Sequence, residues 1–497
     1  MIQGDKIVTA SQMRKLERES VKAGAQEESY IRQAGYGIAL EVSKTVQKLA
    51  KKKQLLLLLG KGNNAGDALA AGCHLLEMGF QIYAYALFPV ENFSPLITII
   101  ASSFQTKGGQ VISSTKDVTF CFCQDGCIID GIFGTGYHSQ TMDLRIVTII
   151  ALANASGIPI FAIDIPSGLN GDTGEVSSTC IHAYQTLYLG LPKAGFFLDQ
   201  GYNYIGKITK IDFGLDSIYI EKAEAIGTLL HEEDIRFLQP SIKRTRHKYQ
   251  AGYVLTIGGS KGMEGAAILA ALAALRSGAG VSRLFFTNFE KQVPLEIITD
   301  LRNKENIYTE AKRSQAAIIG PGLGRSQEDF SLIQDLIHNL SIPLVIDADA
   351  LAFLARYPQW YTIFPAILTP HRGELLPLLQ KKSPYPDEKL MRDSQDLVDK
   401  KNCILIVKGA PTWVFSSKQP PLVITRGDPG MATAGTGDVL AGILGALLAQ
   451  GLSPYNAAIL GVYLHGVAGE LAAKDKSSYS LIASDIIEYL PKAFLSL

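Results

Sequence analysis

The feature that most constrains this chain is a recurring pair: a short, unbroken apolar run followed by a helical pattern. "QLLLLLG" (54–60) leads into a helical pattern at 66–79, and "QIYAYALF" (81–88) follows it. "CIIDGIF" (127–133), "IPIFAIDI" (158–165) and "TLYLGL" (186–191) continue the series. Continuous rather than alternating apolar runs suit parallel strands covered on both faces. Strand–helix alternation then predicts a doubly wound sheet. The style returns after "GYVLTIGG" (252–259), which runs into the helix former "EGAAILAALAALRSGAG". "RLFFT", "AAIIGPGLG", "IPLVIDADAL", "PAILTPHRGE" and "CILIVKGAPTWVF" read as further strands, and 437–450 and "NAAILGVYLHGVAGELAA" as helices. No sequence repeat relates the halves. With 497 residues, the chain has room for two such domains. Apolar runs thin out in "DFGLDSIYIEKAEAIGTLLHEEDI", which places the boundary near residue 222. The expected architecture is α/β: two three-layer αβα domains, 1–222 and 223–497.

Charge excludes several function classes. Forty-seven basic residues balance 47 acidic ones, so no global field draws nucleic acid or an anionic membrane. The start lacks a basic patch followed by an apolar run, and no apolar stretch reaches the roughly 18 residues a bilayer span needs. A soluble, cytoplasmic protein is expected. Cys121, Cys123 and Cys127 cluster in "TFCFCQDGCIID". They lack a fourth ligand and a metal-site spacing, so they read as small buried hydrophobes. The basic cluster "IKRTRHKYQ" (242–250) reads either as a solvated loop or as one reaching over a phosphate.

"LGKGNNAGDALAAG" (59–72) sits where a strand becomes a helix. Gly60, Gly62 and Ala65 match the Gly-x-Gly-x-x-Gly/Ala spacing of a dinucleotide fold. The next strand ends without the acidic residue that would hold a ribose, which argues against a dehydrogenase. Asn63, Asn64 and Asp67 make this turn more polar than phosphate cradling needs; a helix N-cap with solvated neighbours is the plainer reading. "IIDGIFGTGYHS" and "AIDIPSGLNGDTG" place Asp130 and Asp164 at strand ends before glycine-rich loops. Ligands of open parallel sheets bind beyond the carboxyl ends of the strands, so both should converge with Asn64 on one crevice. The oxygen-only groups Asn64, Asp130 and Ser167 suit a hard cation.

In this order, "GNNAGD", "DGIFGTG" and "DIPSGLNGDTG" resemble the epimerase domain of the bifunctional NAD(P)H-hydrate repair enzymes. The resemblance implies that Asn63, Asn64, Ala65, Gly66, Asp67, Gly134, Thr135, Gly136, Tyr137, His138, Ser139, Gln140 and Asp164 line the site of the hydrated dinucleotide. It also implies a potassium ion on Asn64, Asp130 and Ser167. The chain departs from the family pattern at Ala65 and Ala68, where glycine is usual. It has "YHSQ" where an arginine usually follows the Gly-Thr-Gly turn, and "IRQAG" (31–35) in place of a "MENAG"-like stretch. A non-catalytic dinucleotide-binding module is therefore the alternative for this half. Epimerisation inverts a carbinolamine by losing and regaining its hydroxyl or by opening the ring, and either route needs a group that carries a proton. Asp164 is the leading candidate, with the loop residue His138 second.

"LTPHRGEL" (368–375), "VKGAPTWV" (407–414) and "AGTGDVLAG" (434–442) follow in the second half. With "GGSKGMEGAAILA", "GPGLG" and "IDADAL", they resemble the ribokinase-like ADP/ATP-dependent dehydratase domain of the same enzymes, over most of 230–490. Met263 stands where that family often has tyrosine. Hydroxide leaves a hydrate poorly, and phosphorylating the hydroxyl makes it a good leaving group. Such chemistry needs donors aimed at the transferring phosphoryl and a base for the hydroxyl proton. Gly435, Thr436 and Gly437 offer N–H donors at a helix start, and Asp438 is placed to be the base; otherwise it merely favours the helix dipole. By resemblance, Lys408, Gly409, Ala410, Pro411, Thr412 and Gly435–Gly437 contact the nucleotide, and Ala266, Gly324, His371 and Asp438 contact the hydrate. Asp347 and Asp349 end a strand, as partners for magnesium through water or as helix caps. The implied function is to interconvert the R and S hydrates of NADH and NADPH and to dehydrate the S form with ADP or ATP. A ribokinase-like small-molecule kinase is the alternative for the whole chain. Exposed helices of either domain offer surfaces for a homo-oligomer.

Overall fold

The computed structural model describes residues 4–49, 52–112, 126–137, 141–287 and 292–497. The chain forms two compact units: residues 5–227, and residues 228–497 together with Gly4.

In the first unit, helices α1 (Ala10–Lys22) and α2 (Glu27–Leu49) precede the sheet. The Thr9 hydroxyl opens α1 by accepting the Gln12 N–H. Strand β1 (Gln54–Leu59) passes directly into α3 (Asn63–Glu77), and β2 (Gln81–Ala86), β3 (Gln110–Ile112), β4 (Cys127–Gly131), β5 (Ile160–Ile163), β6 (Gln185–Leu189) and β7 (Lys207–Ile211) follow. They pair in parallel in the order β3-β2-β1-β4-β5-β6-β7. The order reverses between β1 and β4, and a crevice opens beyond the strand ends at such a point. Leu55, Leu57 and Leu59 face a core with α2 and α3, while Leu56 and Leu58 face α4 (Leu144–Ala155) on the other side. Burial on both faces is why this strand is apolar without alternation. Gly60 is required at the turn: a Cβ there would lie 1.9 Å from the Ile132 carbonyl oxygen. Cys127 is buried in β4, whereas Cys121 and Cys123 lie outside the described residues.

In the second unit, β8 (Tyr253–Ile257), α5 (Glu264–Arg276), β9 (Val281–Phe286), β10 (Ile298–Leu301) and β11 (Ala316–Ile319) come first. Then come β12 (Leu344–Ile346), α6 (Asp349–Arg356), β13 (Ile367–Leu368), α7 (Arg372–Leu378), β14 (Ile404–Val407), β15 (Thr412–Phe415) and β16 (Leu422–Ile424). Helices α8 (Thr436–Ala449), α9 (Pro454–Lys476) and α10 (Ala483–Leu495) close the chain. These strands pair in the order β16-β15-β14-β13-β12-β11-β8-β9-β10, parallel except for the β14–β15–β16 meander, and a short strand at Gly227–Leu229 pairs in parallel with β16. Helix α8 is buried along most of its length against α5, α9 and the sheet. An apolar helix of this kind belongs in a core, not on an amphipathic surface. Residues 242–250 are exposed except for the half-buried Arg246. Among the described residues, no helix is long and apolar enough to cross a membrane.

Candidate active site

The first unit holds a cavity of about 730 Å³ at the β1–β4 switch point. Asn63, Asn64, Asp67, Gly134, Thr135, Gly136, Tyr137 and Asp164 all line it. Ala65 is fully buried within α3, and Gly66 packs against Ile31 and Ile97. His138, Ser139 and Gln140 lie outside the described residues. Ala68 is buried against Gly131, where a Cβ on the glycine would meet it at 2.7 Å.

Beneath the cavity, Asp130 is fully buried. Its Oδ1 accepts the Ser167 hydroxyl at 2.7 Å and the Ile132 N–H at 3.2 Å, and its Oδ2 accepts the Ser167 N–H at 2.8 Å. Burial pushes its pKa up to about 6 against these three hydrogen bonds. The Asn64 amide donates to the carbonyls of Phe133 and Ile163, at 2.7 and 3.2 Å. Asp164 has a left-handed backbone, φ 63°. Its Oδ1 accepts from the fully buried Lys193 ammonium and from the Leu189 N–H at 3.2 Å.

Sequence reasoning missed Lys193, and with it Arg14, Glu17 and Glu27, which also line the cavity. Arg14 donates to the Thr135 carbonyl, so a guanidinium from α1 reaches the Gly-Thr-Gly turn. Asp67 is held well above the usual carboxylate range by burial and then by the charges of Asp164, Glu17 and Glu27. Glu17 rises to about 7, again from burial first and Asp164 second, with Lys193 and Arg14 pulling it back. Arg14 and Glu17 stand three apart on α1, the spacing of one helix face, and that spacing was the only local signal.

In the second unit, Gly435 caps α8, and its φ of 92° turns the chain into the helix. Asp438 occupies its first turn. Opposite, at the end of β14, the Lys408 ammonium lies 2.9 Å from Asp347 Oδ1 and 3.9 Å from Glu374 Oε2. A Cβ on Gly437 would lie 3.1 Å from that ammonium, so lysine and glycine turn face each other closely. Burial lowers the Lys408 pKa, but Asp347, Glu374 and Asp438 outweigh it and hold the ammonium above its ordinary value. Asp438 is pushed up to about 7 by burial, then by Asp347; Lys408 opposes. Gly409, Ala410, Pro411 and Thr412 form the turn into β15, with the Thr412 hydroxyl donating to the Gly409 carbonyl at 3.0 Å.

His371 caps α7: its Nδ1 accepts the Gly373 N–H at 3.0 Å, and its Nε2 lies 3.5 Å from Glu374 Oε2. A backbone bridge sets His371 beside Lys408. The Gly324 N–H donates to Asp349 Oδ2 at 3.0 Å, and Arg325 takes Asp349 Oδ1 at 2.6 Å. Asp349 therefore holds a loop and a helix start, while Asp347 faces Lys408. Ala266 stands half-buried on the first turn of α5, the helix that packs beside α8. Met263 is exposed just before that helix. Sequence reasoning missed two groups here. Glu374 closes the Lys408 cluster, and His465 Nε2 lies 2.9 Å from the Thr436 carbonyl. Burial drops the His465 pKa to about 4, so the neutral ring donates to that carbonyl.

Residues 30–195 match the family described as the YjeF-related protein N-terminus, and residues 254–492 match the NAD(P)H-hydrate dehydratase family. The bifunctional NAD(P)H-hydrate repair enzyme Nnr of Moorella thermoacetica is 31% identical, covering 98% of this chain and 96% of that protein. The enzyme of the same description from Vibrio cholerae is 33% identical over 86% of this chain and 85% of its own length. A Bacillus subtilis ADP/ATP-dependent NAD(P)H-hydrate dehydratase, crystallised with ATP and Mg2+, is 28% identical. Its overlay has a TM-score of 0.45 and covers 54% of this chain and 97% of that one. With nearly full-length relatives above 30% identity and a matching family model on each half, the chain belongs to the bifunctional NAD(P)H-hydrate repair enzymes.

Proposed function

We propose that residues 1–222 interconvert the R and S hydrates of NADH and NADPH, and that residues 223–497 dehydrate the S form with ADP or ATP. The observation that carries the second activity is the meeting of Asp438, Lys408 and Asp347 at the start of α8. An aspartate near 7 is partly a base at neutral pH, as an acceptor for a hydroxyl proton must be. Asp438 takes that proton, and the hydroxyl oxygen attacks the terminal phosphorus. The bond from that phosphorus to its bridging oxygen breaks, leaving the shortened nucleotide. The N–H groups of Gly435, Thr436 and Gly437 receive the phosphoryl oxygens, and Lys408 is drawn to them from Asp347. Phosphate then leaves with the carbon–oxygen pair while the ring nitrogen lone pair closes a C=N bond. Loss of a proton from the neighbouring carbon restores the ring double bond. Gly409–Thr412 lie against the nucleotide, and Ala266, Gly324 and His371 against the hydrate.

Magnesium bound with the nucleotide would neutralise phosphate charge. Asp347 fits it, with Oδ2 turned toward the glycine turn. In the first domain, Asn64, Asp130 and Ser167 fit potassium. They are oxygen donors, and Asp130 is a buried carboxyl that no lysine or arginine pairs with among the described residues. Asp164 carries the proton in epimerisation. Asn63, Asn64, Asp67 and Gly134–Tyr137 surround the hydrated ring and its diphosphate.

The test gives the full chain NADH hydrate, magnesium and ADP or ATP, and follows the absorbance of the reduced nicotinamide. Recovery of absorbance with release of inorganic phosphate is expected. No recovery with either nucleotide overturns the dehydratase reading, and a stable phosphorylated product supports a kinase instead. For the first domain, purified R hydrate should be consumed; its persistence marks a non-catalytic module.

A further inference from the structure

Resting on the epimerase reading above, we propose that Glu17 is a second acid–base residue of that crevice. It would give its proton to the departing hydroxyl, while Asp164 takes the proton of the water that returns.

Three observations carry this division. Glu17 and Asp164 line the same cavity, together with Asn64 and the Gly134–Tyr137 turn. Asp164 is engaged: its Oδ1 already accepts from the buried Lys193 ammonium and the Leu189 N–H. A carboxylate gripped by a cation releases no proton readily but accepts one through its other oxygen. Glu17 is different. Among the described residues, no hydrogen bond or ion pair occupies its carboxyl, although the side chain is half-buried. The charged groups that share its cavity or act on it are Arg14, Arg18 and Lys22 on its own helix, Glu27 on α2, Lys61 before α3 and Asp67 on it, and Asp164 and Lys193 from the sheet side. Its pKa near 7, from burial and then Asp164, lets it hold a proton in about half of the molecules at neutral pH.

The step balances. The Glu17 proton passes to the hydroxyl oxygen, and the carbon–oxygen bond breaks with its pair leaving on water. The ring nitrogen lone pair closes a C=N bond. Water then adds to the opposite face of that carbon, and the C=N pair returns to nitrogen. The surplus proton of the added water passes to the free oxygen of Asp164. Glu17 ends as a carboxylate and Asp164 as an acid; proton exchange with solvent returns both to their first state before the next turnover, in either direction.

The experiment compares the full chain with its Glu17→Gln and Glu17→Asp variants on purified R hydrate. Dehydration of purified S hydrate is run alongside, and thermal melting checks that the first domain folds. Glu17→Gln should lower epimerase kcat roughly 100-fold or more with KM changed less than about threefold. It should also abolish the fall in rate above pH ~7. Glu17→Asp should recover part of kcat and shift that fall. A Glu17→Gln rate within threefold of the unmodified chain overturns the proposal. So does a slow folded variant that keeps the fall near neutral pH, or one that changes only KM. If the unmodified chain does not interconvert the hydrates, the epimerase reading itself fails and takes this proposal with it.

Discussion

Lys408 and Asp347 form a 2.9 Å ion pair at the crevice of the second domain, although 61 residues separate them. The pair joins the ends of two parallel strands, one strand apart, and places a lysine beside the glycine turn that opens α8. With Glu374 and Asp438 nearby, one cation stands among three carboxyls. Phosphate oxygens entering the turn would compete with Asp347 for that cation.

Asp438→Asn should remove the base and keep the fold, since the amide is isosteric. Dehydratase turnover is expected to fall by about 100-fold to 10,000-fold, while nucleotide still binds. Absorbance recovery and calorimetric titration of ATP read the two effects separately. Ordinary turnover in the variant would remove Asp438 from its role.

Asp347→Asn should move the pH profile. The Asp347 charge is the second cause of the raised Asp438 pKa, after burial. Removing it favours the Asp438 carboxylate, so the acidic limb of dehydratase kcat/KM shifts from about 7 to lower pH. A shift of about one pH unit is expected for a neighbouring like charge. An unmoved limb would mean that another group sets it.

Lys193→Met should unfold the first domain more easily. Lys193 is fully buried and answers Asp164, so its loss strands a carboxylate in a poorly solvated place. Breaking one side of such a pair costs roughly 3–5 kcal/mol. Adding Asp164→Asn should return part of that stability, and chemical denaturation measures both. Equal losses in the single and double variants would show that the pair is not the cause.

Potassium should stabilise the chain more at pH 8 than at pH 5. Asp130 has its pKa raised from 3.8 to about 6. A raised carboxyl contributes stability that is present below the unfolded value and lost as pH rises through the folded one. A cation on the ionised form reverses that loss only where the group is ionised. Melting in potassium against tetramethylammonium reads the difference, which Asp130→Asn should abolish.

Gly435→Ala should damage both fold and turnover. At φ 92° an L residue is strained, and the new Cβ would lie 2.7 Å from Leu269 Cδ1. A loss of about 1–3 kcal/mol is expected, together with slower phosphoryl transfer, because the N–H groups would no longer keep their aim. Unchanged melting would show that the turn accommodates the methyl group.

How much was readable from the sequence differs from residue to residue. The run 54–60 and the Gly60 turn predicted β1 passing into a helix, and the structure has that helix at Asn63–Glu77. Asp130 and Asp164 were legible as groups at strand ends because parallel sheets bind ligands there. Ala65 and Gly66 share the motif of Asn64, yet they turn into the core, because successive helix residues point about 100° apart. The arginine expected after the Gly-Thr-Gly turn is absent from the local sequence, but Arg14 supplies a guanidinium there from α1.

The sequence by itself determined the alternation of buried strands with helices, the two-domain plan and the glycine turns. Each depends on residues a few places apart, where apolar periodicity and backbone freedom act. Only the tertiary structure decided which charges meet. Lys193 answers Asp164, Lys408 answers Asp347, Glu17 faces the crevice from α1, and His465 holds the Thr436 carbonyl from the helix after it. Parallel crossovers bring sequence-distant strand ends side by side, and burial there makes each carboxyl's pKa depend on neighbours that no local pattern names.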